Sequence, residues 1–190
     1  MHYLYRQLCD DHRNMQSLLD ALEQLTKDLA RREREPETLS LILDAIDYIN
    51  TYPDRWHHPI EDLAMQRLLL HTEADRDIIE AIQGEHQAIT SATRHMNALF
   101  YAIANDAAVE RGQLFSATQE YLQLQRDHMQ RENESIFPQL FALLSADDWA
   151  AVEAQLQRQQ DPLFGPDLKR LYESLHDYVV GLHEPLRASA

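Results

Sequence analysis

The sequence predicts an all-α protein, an up-down antiparallel four-helix bundle with two additional C-terminal helices. Three observations carry that reading. Glycine and proline are scarce, 4 and 7 of 190 residues, against many Leu, Ala, Gln and Glu, a composition of long helices rather than of strands and turns. Apolar residues recur at steps of three and four through four long stretches, the spacing that keeps side chains on one helix face. Short polar connections join the stretches, which favours antiparallel neighbours.

The first stripe is Leu4, Leu8, His12, Met15, Leu19 and Leu22, in a helix running to about Glu35 and ended at Pro36. The second passes through Leu39, Ile42, Leu43, Ile46 and Ile49 and continues to near His71, bent or interrupted at Pro53 and Pro59. Thr72-Glu73-Ala74-Asp75 reads as an N-cap, followed by Ile79, Ile82, His86, Ile89, Thr93, Met96, Phe100 and Ile103. The fourth stripe holds Leu114, Thr118, Tyr121, Gln125, His128, Glu132, Ile136, Leu140 and Leu143, with a local kink expected at Pro138.

Beyond the bundle, Ser145-Ala146-Asp147-Asp148 caps a helix containing Trp149, Val152 and Leu156. The run Asp161-Pro162-Leu163-Phe164-Gly165-Pro166 is a turn, before a last helix with Leu168, Leu171, Leu175 and Val179. We therefore expect residues 1–144 to form the bundle and residues 145–190 a helical appendage of the same domain. The apolar stripes of the appendage suit a bundle surface or a homodimer contact.

A net charge of -15 repels phosphate backbones and anionic headgroups, and no basic run overcomes it, so neither nucleic acid nor a membrane surface is an expected partner. The first residues lack the apolar core of a secretory signal, and no apolar run is long enough to span a bilayer, so a cytoplasmic location is expected. The one cysteine, Cys9, forms no internal disulfide. The unusual count is 10 histidines.

Polar residues replace apolar ones on the inward stripes at His12 in the first helix, His57 and Glu61 in the second, His86 in the third, and His128 and Glu132 in the fourth. Any one buried histidine is most simply a hydrogen-bonded core residue. The set is different, because His57 with Glu61 and His128 with Glu132 share the i, i+4 spacing that puts both side chains over one patch of helix. Two such pairs and two more inward histidines form a metal cage. Imidazole with carboxylate suits iron, and in helical bundles carboxylates from facing helices bridge metal pairs. The thiolates of a structural zinc site are absent. At about 100° per residue, Glu61 falls angularly between His57 and His58. His58 is then a ligand on the far side of a Glu61 bridge, or else a supporting or exposed histidine.

These residues lie in segments that resemble the hemerythrin-like, HHE cation-binding family. The segments are Asp11-His12-Arg13, Tyr52-Pro53-Asp54-Arg55-Trp56-His57-His58-Pro59-Ile60-Glu61-Asp62, Glu85-His86, and the stretch from His128 through Glu132 to Pro138. The resemblance spans roughly Met1 to Leu144. It implies a bundle holding two non-haem irons, with His12, His57, His58, Glu61, His86, His128 and Glu132 as ligands. Oxygen-carrying hemerythrins have a second histidine in the third helix, where this chain has Thr90, and this chain uses Glu132 four residues after His128. Those departures put simple reversible oxygen carriage in question. The expected function is binding of oxygen or another small diatomic ligand for storage, delivery or sensing. The alternatives are redox chemistry on peroxide, oxygen or nitric oxide, and iron sensing.

Cys9 is expected to be an inert small hydrophobe. Tyr48, Tyr52 and Tyr121 are read as core aromatics within reach of the metal region, and His71, His95, His176 and His183 as surface or packing residues.

Overall fold

The computed structural model describes residues 1–31, 36–72, 76–157 and 159–183. Among the described residues all regular structure is helical. The main helices are α1 (Tyr3–Arg31), α2 (Pro36–Thr51), α3 (His58–Leu68), α4 (Arg76–Ala104) and α5 (Arg111–Arg131). Shorter ones follow: α6 (Phe137–Leu143), α7 (Ala146–Glu153) and α8 (Glu173–His183). The expected cap at Thr72 involves residues 73–75, which lie outside the described residues. No helix among the described residues is long and apolar enough to cross a membrane.

Helix α1 packs against α2 and α5, and α4 packs against the same two, so four long helical units close a ring around one core. The stripes read from the sequence face inward: Leu4, Leu8, Met15, Leu19 and Leu22 of α1 are buried with Ile79, Ile82, Ile89, Met96 and Phe100 of α4. Helix α4 ends in a Schellman-type closure. Ala107 N–H reaches Ala102 O at 2.9 Å, and Asp106 takes the left-handed conformation, φ 60°, that such a closure requires and that Asp tolerates.

The part of the second unit that carries His57, His58 and Glu61 is not a simple bend. Residues Pro53–His57 form a π-helical turn between α2 and α3, and Glu132–Ile136 form another between α5 and α6. The proline that follows each turn explains why. Pro59 and Pro138 have no N–H to offer the carbonyl four residues back, and the preceding turn widens by one residue to close through i→i−5 bonds. His58 N–H accordingly reaches Pro53 O, and Phe137 N–H reaches Glu132 O.

The C-terminal elements lie on this ring, α7 against α3 and α8 against α1 and α2. A capping box starts α7, with Ser145 Oγ accepting from Asp148 N–H at 3.2 Å and Asp148 Oδ2 accepting from Ser145 N–H at 3.0 Å. The same carboxylate lies 2.9 Å from His71 Nε2 beyond the end of α3 and 3.3 Å from Arg67, which pins α7 to α3. In the turn before α8, Asp161 Oδ1 accepts from Leu163 and Phe164 N–H at 2.8 and 2.9 Å. A Cβ at Gly165 would stand 2.3 Å from Asp161 O, so this position demands glycine.

Two expected core positions are corrected. Leu171 is 61% exposed and Leu143 42% exposed. Leu171 falls in a 3₁₀ turn, Arg170–Tyr172, where three residues per turn shift the phase, and Tyr172 takes the inward place. Leu143 is the last residue of α6, reached only after the second π turn has reset the phase of the fourth stripe.

Candidate metal centre

The seven residues singled out in the sequence converge in the middle of the ring, and all are buried, at 6% exposure or less. His12 comes from α1, His57 closes the first π turn, His58 and Glu61 come from α3, His86 from α4, His128 from α5, and Glu132 opens the second π turn. The widened first turn lets consecutive residues, His57 and His58, both face inward. Their rings stand 5.7 Å apart at a steep angle.

Two groups of potential ligand atoms form, each with all atoms within 4.8 Å of one another: His12, His57 and Glu61, and His58, Glu61, His86 and His128. Glu61 is common to both. Its Oε1 lies 3.3 Å from His12 Nε2 and 3.0 Å from His57 Nε2, and its Oε2 lies 3.5 Å from His86 Nε2. Glu132 joins the same centre: its Oε2 is 3.3 Å from His12 Nε2 and 3.1 Å from His128 Nε2, and its Oε1 is 3.6 Å from His86 Nε2.

These contacts are not hydrogen bonds. The Nε2 atoms of His12, His58, His86 and His128 and both oxygens of Glu61 and Glu132 are buried without a hydrogen-bond partner. Leaving one such atom unsatisfied costs about 1–3 kcal/mol, and so many in one place call for a compensating ion. Cis donors on an ion with bonds of about 2.1 Å stand roughly 3 Å apart, close to the separations here. The donors are imidazole and carboxylate without thiolate, a set that suits iron better than structural zinc.

The outer nitrogen of each histidine is held as well. Nδ1 of His12 lies 3.0 Å from Asn133 Oδ1, that of His57 3.0 Å from Asp11 Oδ2, that of His86 3.1 Å from Asp62 Oδ1, and that of His128 3.1 Å from Glu85 Oε2. His58 Nδ1 has Asp54 Oδ1 at 3.6 Å. An acceptor at Nδ1 sets the tautomer that carries its proton there, and leaves the Nε2 lone pair facing the centre. Four of these partners share one pattern. Each is next in sequence to a candidate ligand on its own helix and bonds a candidate ligand on the neighbouring one: Asp11 beside His12 holds His57, Asp62 beside Glu61 holds His86, Glu85 beside His86 holds His128, and Asn133 beside Glu132 holds His12.

Electrostatics point the same way. Burial opposes charge on His12, His57 and His86, but the carboxylates beside them outweigh it and raise the three to about 9, about 10 and about 12. Burial also opposes ionisation of Glu61 and Glu132, yet the surrounding imidazoles hold both below the usual carboxylate range. His58, buried and then repelled by His86, is held well below the ordinary histidine value and stays neutral. Two buried carboxylates thus attract cationic charge to one point, and a metal ion competes with protons for it.

The hemerythrin HHE cation binding domain model matches residues 4–140. The chain belongs to that family. A comparison with curated proteins finds no match. The hemerythrin-family match makes this a cation-binding domain, and its His/Glu clusters are able to hold a metal.

Sequence reading gave no role to the outer partners Asp11, Asp54, Asp62, Glu85 and Asn133. All but Asp54 stand next to a candidate ligand, a signal in the sequence, but which histidine each one serves depends on which helices are neighbours. Of the other candidates, Cys9 is half-buried beside a surface groove that reaches His12, and burial pushes its thiol up, away from reactivity. Tyr48, Tyr52 and Tyr121 are fully buried. His95 and His183 are exposed, His71 pairs with Asp148 and His176 with Asp177, all outside the centre.

Proposed function

We propose that this hemerythrin-family chain is a non-haem di-iron protein that binds oxygen or another small diatomic ligand, for storage, delivery or sensing. The observation that carries it is Glu61, whose two oxygens face different histidines and which belongs to both ligand groups. In this reading His12, His57 and Glu61 would hold one iron and His58, Glu61, His86 and His128 the other, with Glu132 a further carboxylate donor at the same centre. The short connections favour an up-down antiparallel bundle over residues 1–144. Packing of α7 and α8 on bundle helices supports residues 145–190 as an appendage of the same domain.

When bound, a pair of irons supplies Lewis acidity and one-electron redox chemistry. The protein's own contribution is positional. Acceptors at Nδ1 fix each imidazole, and burial keeps bulk water from the ligands. Five imidazoles and two carboxylates would supply fewer donors than two irons can take, which would leave coordination positions for solvent and a small exogenous ligand.

A second reading, reduction of peroxide, is favoured by the phenol–carboxylate pairs between His57 and α8, two buried and the outermost at the exposed Asp47, which binding alone does not use. Anaerobic reconstitution with iron, followed by optical spectra on adding oxygen, peroxide and nitric oxide in turn, tests both. Recovery of the reduced spectrum after oxygen removal supports binding, and turnover of peroxide with the centre intact supports reduction. Inertness to all three contradicts both.

A further inference from the structure

Three tyrosines run in a line outward from the metal centre, ending at Tyr172, which is 2% exposed and lies just beneath the surface between α2 and α8. Tyr52 OH lies 3.3 Å from Asp11 Oδ1, and the other oxygen of Asp11 lies 3.0 Å from His57 Nδ1. The Tyr52 ring stacks on Tyr48 with centroids 5.8 Å apart, and Tyr48 meets Tyr172 edge-on at 5.9 Å. Tyr48 and Tyr52 also line the small internal cavity that borders His12 and His57. At the outer end Tyr172 OH donates to Asp47 Oδ2 at 2.6 Å, and Asp47 is exposed.

Core packing explains buried aromatic rings, but phenylalanine would pack as well without placing a hydroxyl in the core. Here the phenols of Tyr48 and Tyr172 each donate to a carboxylate, Asp161 Oδ2 at 3.1 Å and Asp47 Oδ2 at 2.6 Å. Such a pair is what proton-coupled oxidation of a phenol needs, because the proton has an acceptor at hydrogen-bond distance as the electron leaves. Burial first, and then the charge of Asp161, hold the Tyr48 phenol well above its ordinary range, so it stays protonated at any working pH.

We propose that Tyr48, Tyr52 and Tyr172 form a one-electron path that delivers reducing equivalents from the protein surface to the metal centre when peroxide is the oxidant. The inference rests on the reading of the centre as a pair of irons. Tyr48 loses one electron through the stacked Tyr52 ring towards the centre, and its proton passes to Asp161. Tyr172 then reduces Tyr48, which recovers its proton from Asp161, while the Tyr172 proton passes to Asp47. A one-electron donor in solution reduces Tyr172, and the proton returns from Asp47. Two such passages, with two protons from solvent, convert one hydrogen peroxide to two waters and leave every tyrosine unchanged.

The test is freeze-quench electron paramagnetic resonance of the iron-loaded full-length protein after one equivalent of hydrogen peroxide, with and without ascorbate. Iron content and the optical spectrum are measured on the same samples. The wild type is expected to give a tyrosine-derived radical that ascorbate removes. Tyr172→Phe should keep a radical at Tyr48 that ascorbate removes far more slowly, and Tyr48→Phe should lose most of the signal with its iron spectrum intact. Absence of a tyrosine radical in a wild type whose iron spectrum responds to peroxide overturns the path alone, as does an undiminished signal in the Tyr48→Phe, Tyr172→Phe double variant. Failure to form the iron centre, or no response of it to peroxide, overturns the reading on which the path rests.

Discussion

Asp11 Oδ2 lies 3.0 Å from His57 Nδ1, so a carboxylate on α1 sets the orientation of an imidazole carried by the first π turn. The same relation is repeated around the ring, Asp62 to His86, Glu85 to His128 and Asn133 to His12. Each helix both presents a potential ligand and steadies the one presented by its neighbour. The packing of the ring therefore decides which acceptor each imidazole meets.

This predicts that Asp11→Ala keeps the fold but weakens metal binding, by about 10–100-fold, the usual effect of losing a partner to a ligating histidine. Asp11→Asn, which retains an acceptor oxygen, should fall between the variant and the wild type. Competition titration against a chelator of known affinity measures both. Unchanged affinity in Asp11→Ala would remove the orienting role.

On the di-iron reading, Glu61→Ala and Glu132→Ala should each disrupt the metal pair more than His58→Ala, because a bridging carboxylate would contact two ions and a terminal imidazole one. Metal content and the optical spectrum of each variant give the comparison. An unchanged spectrum in His58→Ala would place that histidine outside the ligand set, and an intact dinuclear spectrum in Glu61→Ala would remove the shared bridge.

Hydrogen bonds from Ser145, with His71 beside it, hold the Asp148 carboxyl below the ordinary range. A depressed carboxyl stabilises the fold above its unfolded pKa, and that contribution is lost as pH falls through the folded value. Asp148→Ala should therefore destabilise the protein near neutral pH by about 1 kcal/mol, typical of a lost cap. The difference from wild type should shrink in strongly acidic solution, below the usual carboxylate range. Denaturant unfolding across pH, on protein matched for metal content, checks this, and a difference that grows on acidification would reverse the sign.

Gly165→Ala should cost about 1–3 kcal/mol, the range for forced overpacking, since its Cβ would meet Asp161 O at 2.3 Å. Thermal unfolding reads the loss. Iron content should not change, because the turn's hydrogen bond to the ring goes to Tyr48 and not to any of the seven candidate ligands.

Much of the centre was legible because polar residues stood where an apolar stripe required hydrophobes: His12 on α1, His86 on α4 and His128 on α5 keep the three-and-four rhythm of the core. Periodicity reports which face a residue is on, and that was enough to bring them together. It does not report what the backbone does about a missing N–H. Pro59 and Pro138 suggested kinks, whereas the chain answers with π turns that bring His57 and His58 inward together and set Glu132 at the head of a widened turn. The partners Asp11, Asp62, Glu85 and Asn133 were hidden for another reason, since each serves a residue on another helix and only the packing order pairs them. Leu171 was misplaced because a 3₁₀ turn broke the period used to place it.

The most direct test is the number of irons per chain, measured by elemental analysis after anaerobic iron loading and removal of loosely bound metal, with Mössbauer spectra of the same sample. Two irons per chain in a coupled pair are expected, from the sharing of Glu61 between two groups of histidines. One iron per chain, or tight zinc binding with no coupled iron pair after anaerobic loading, would contradict that expectation.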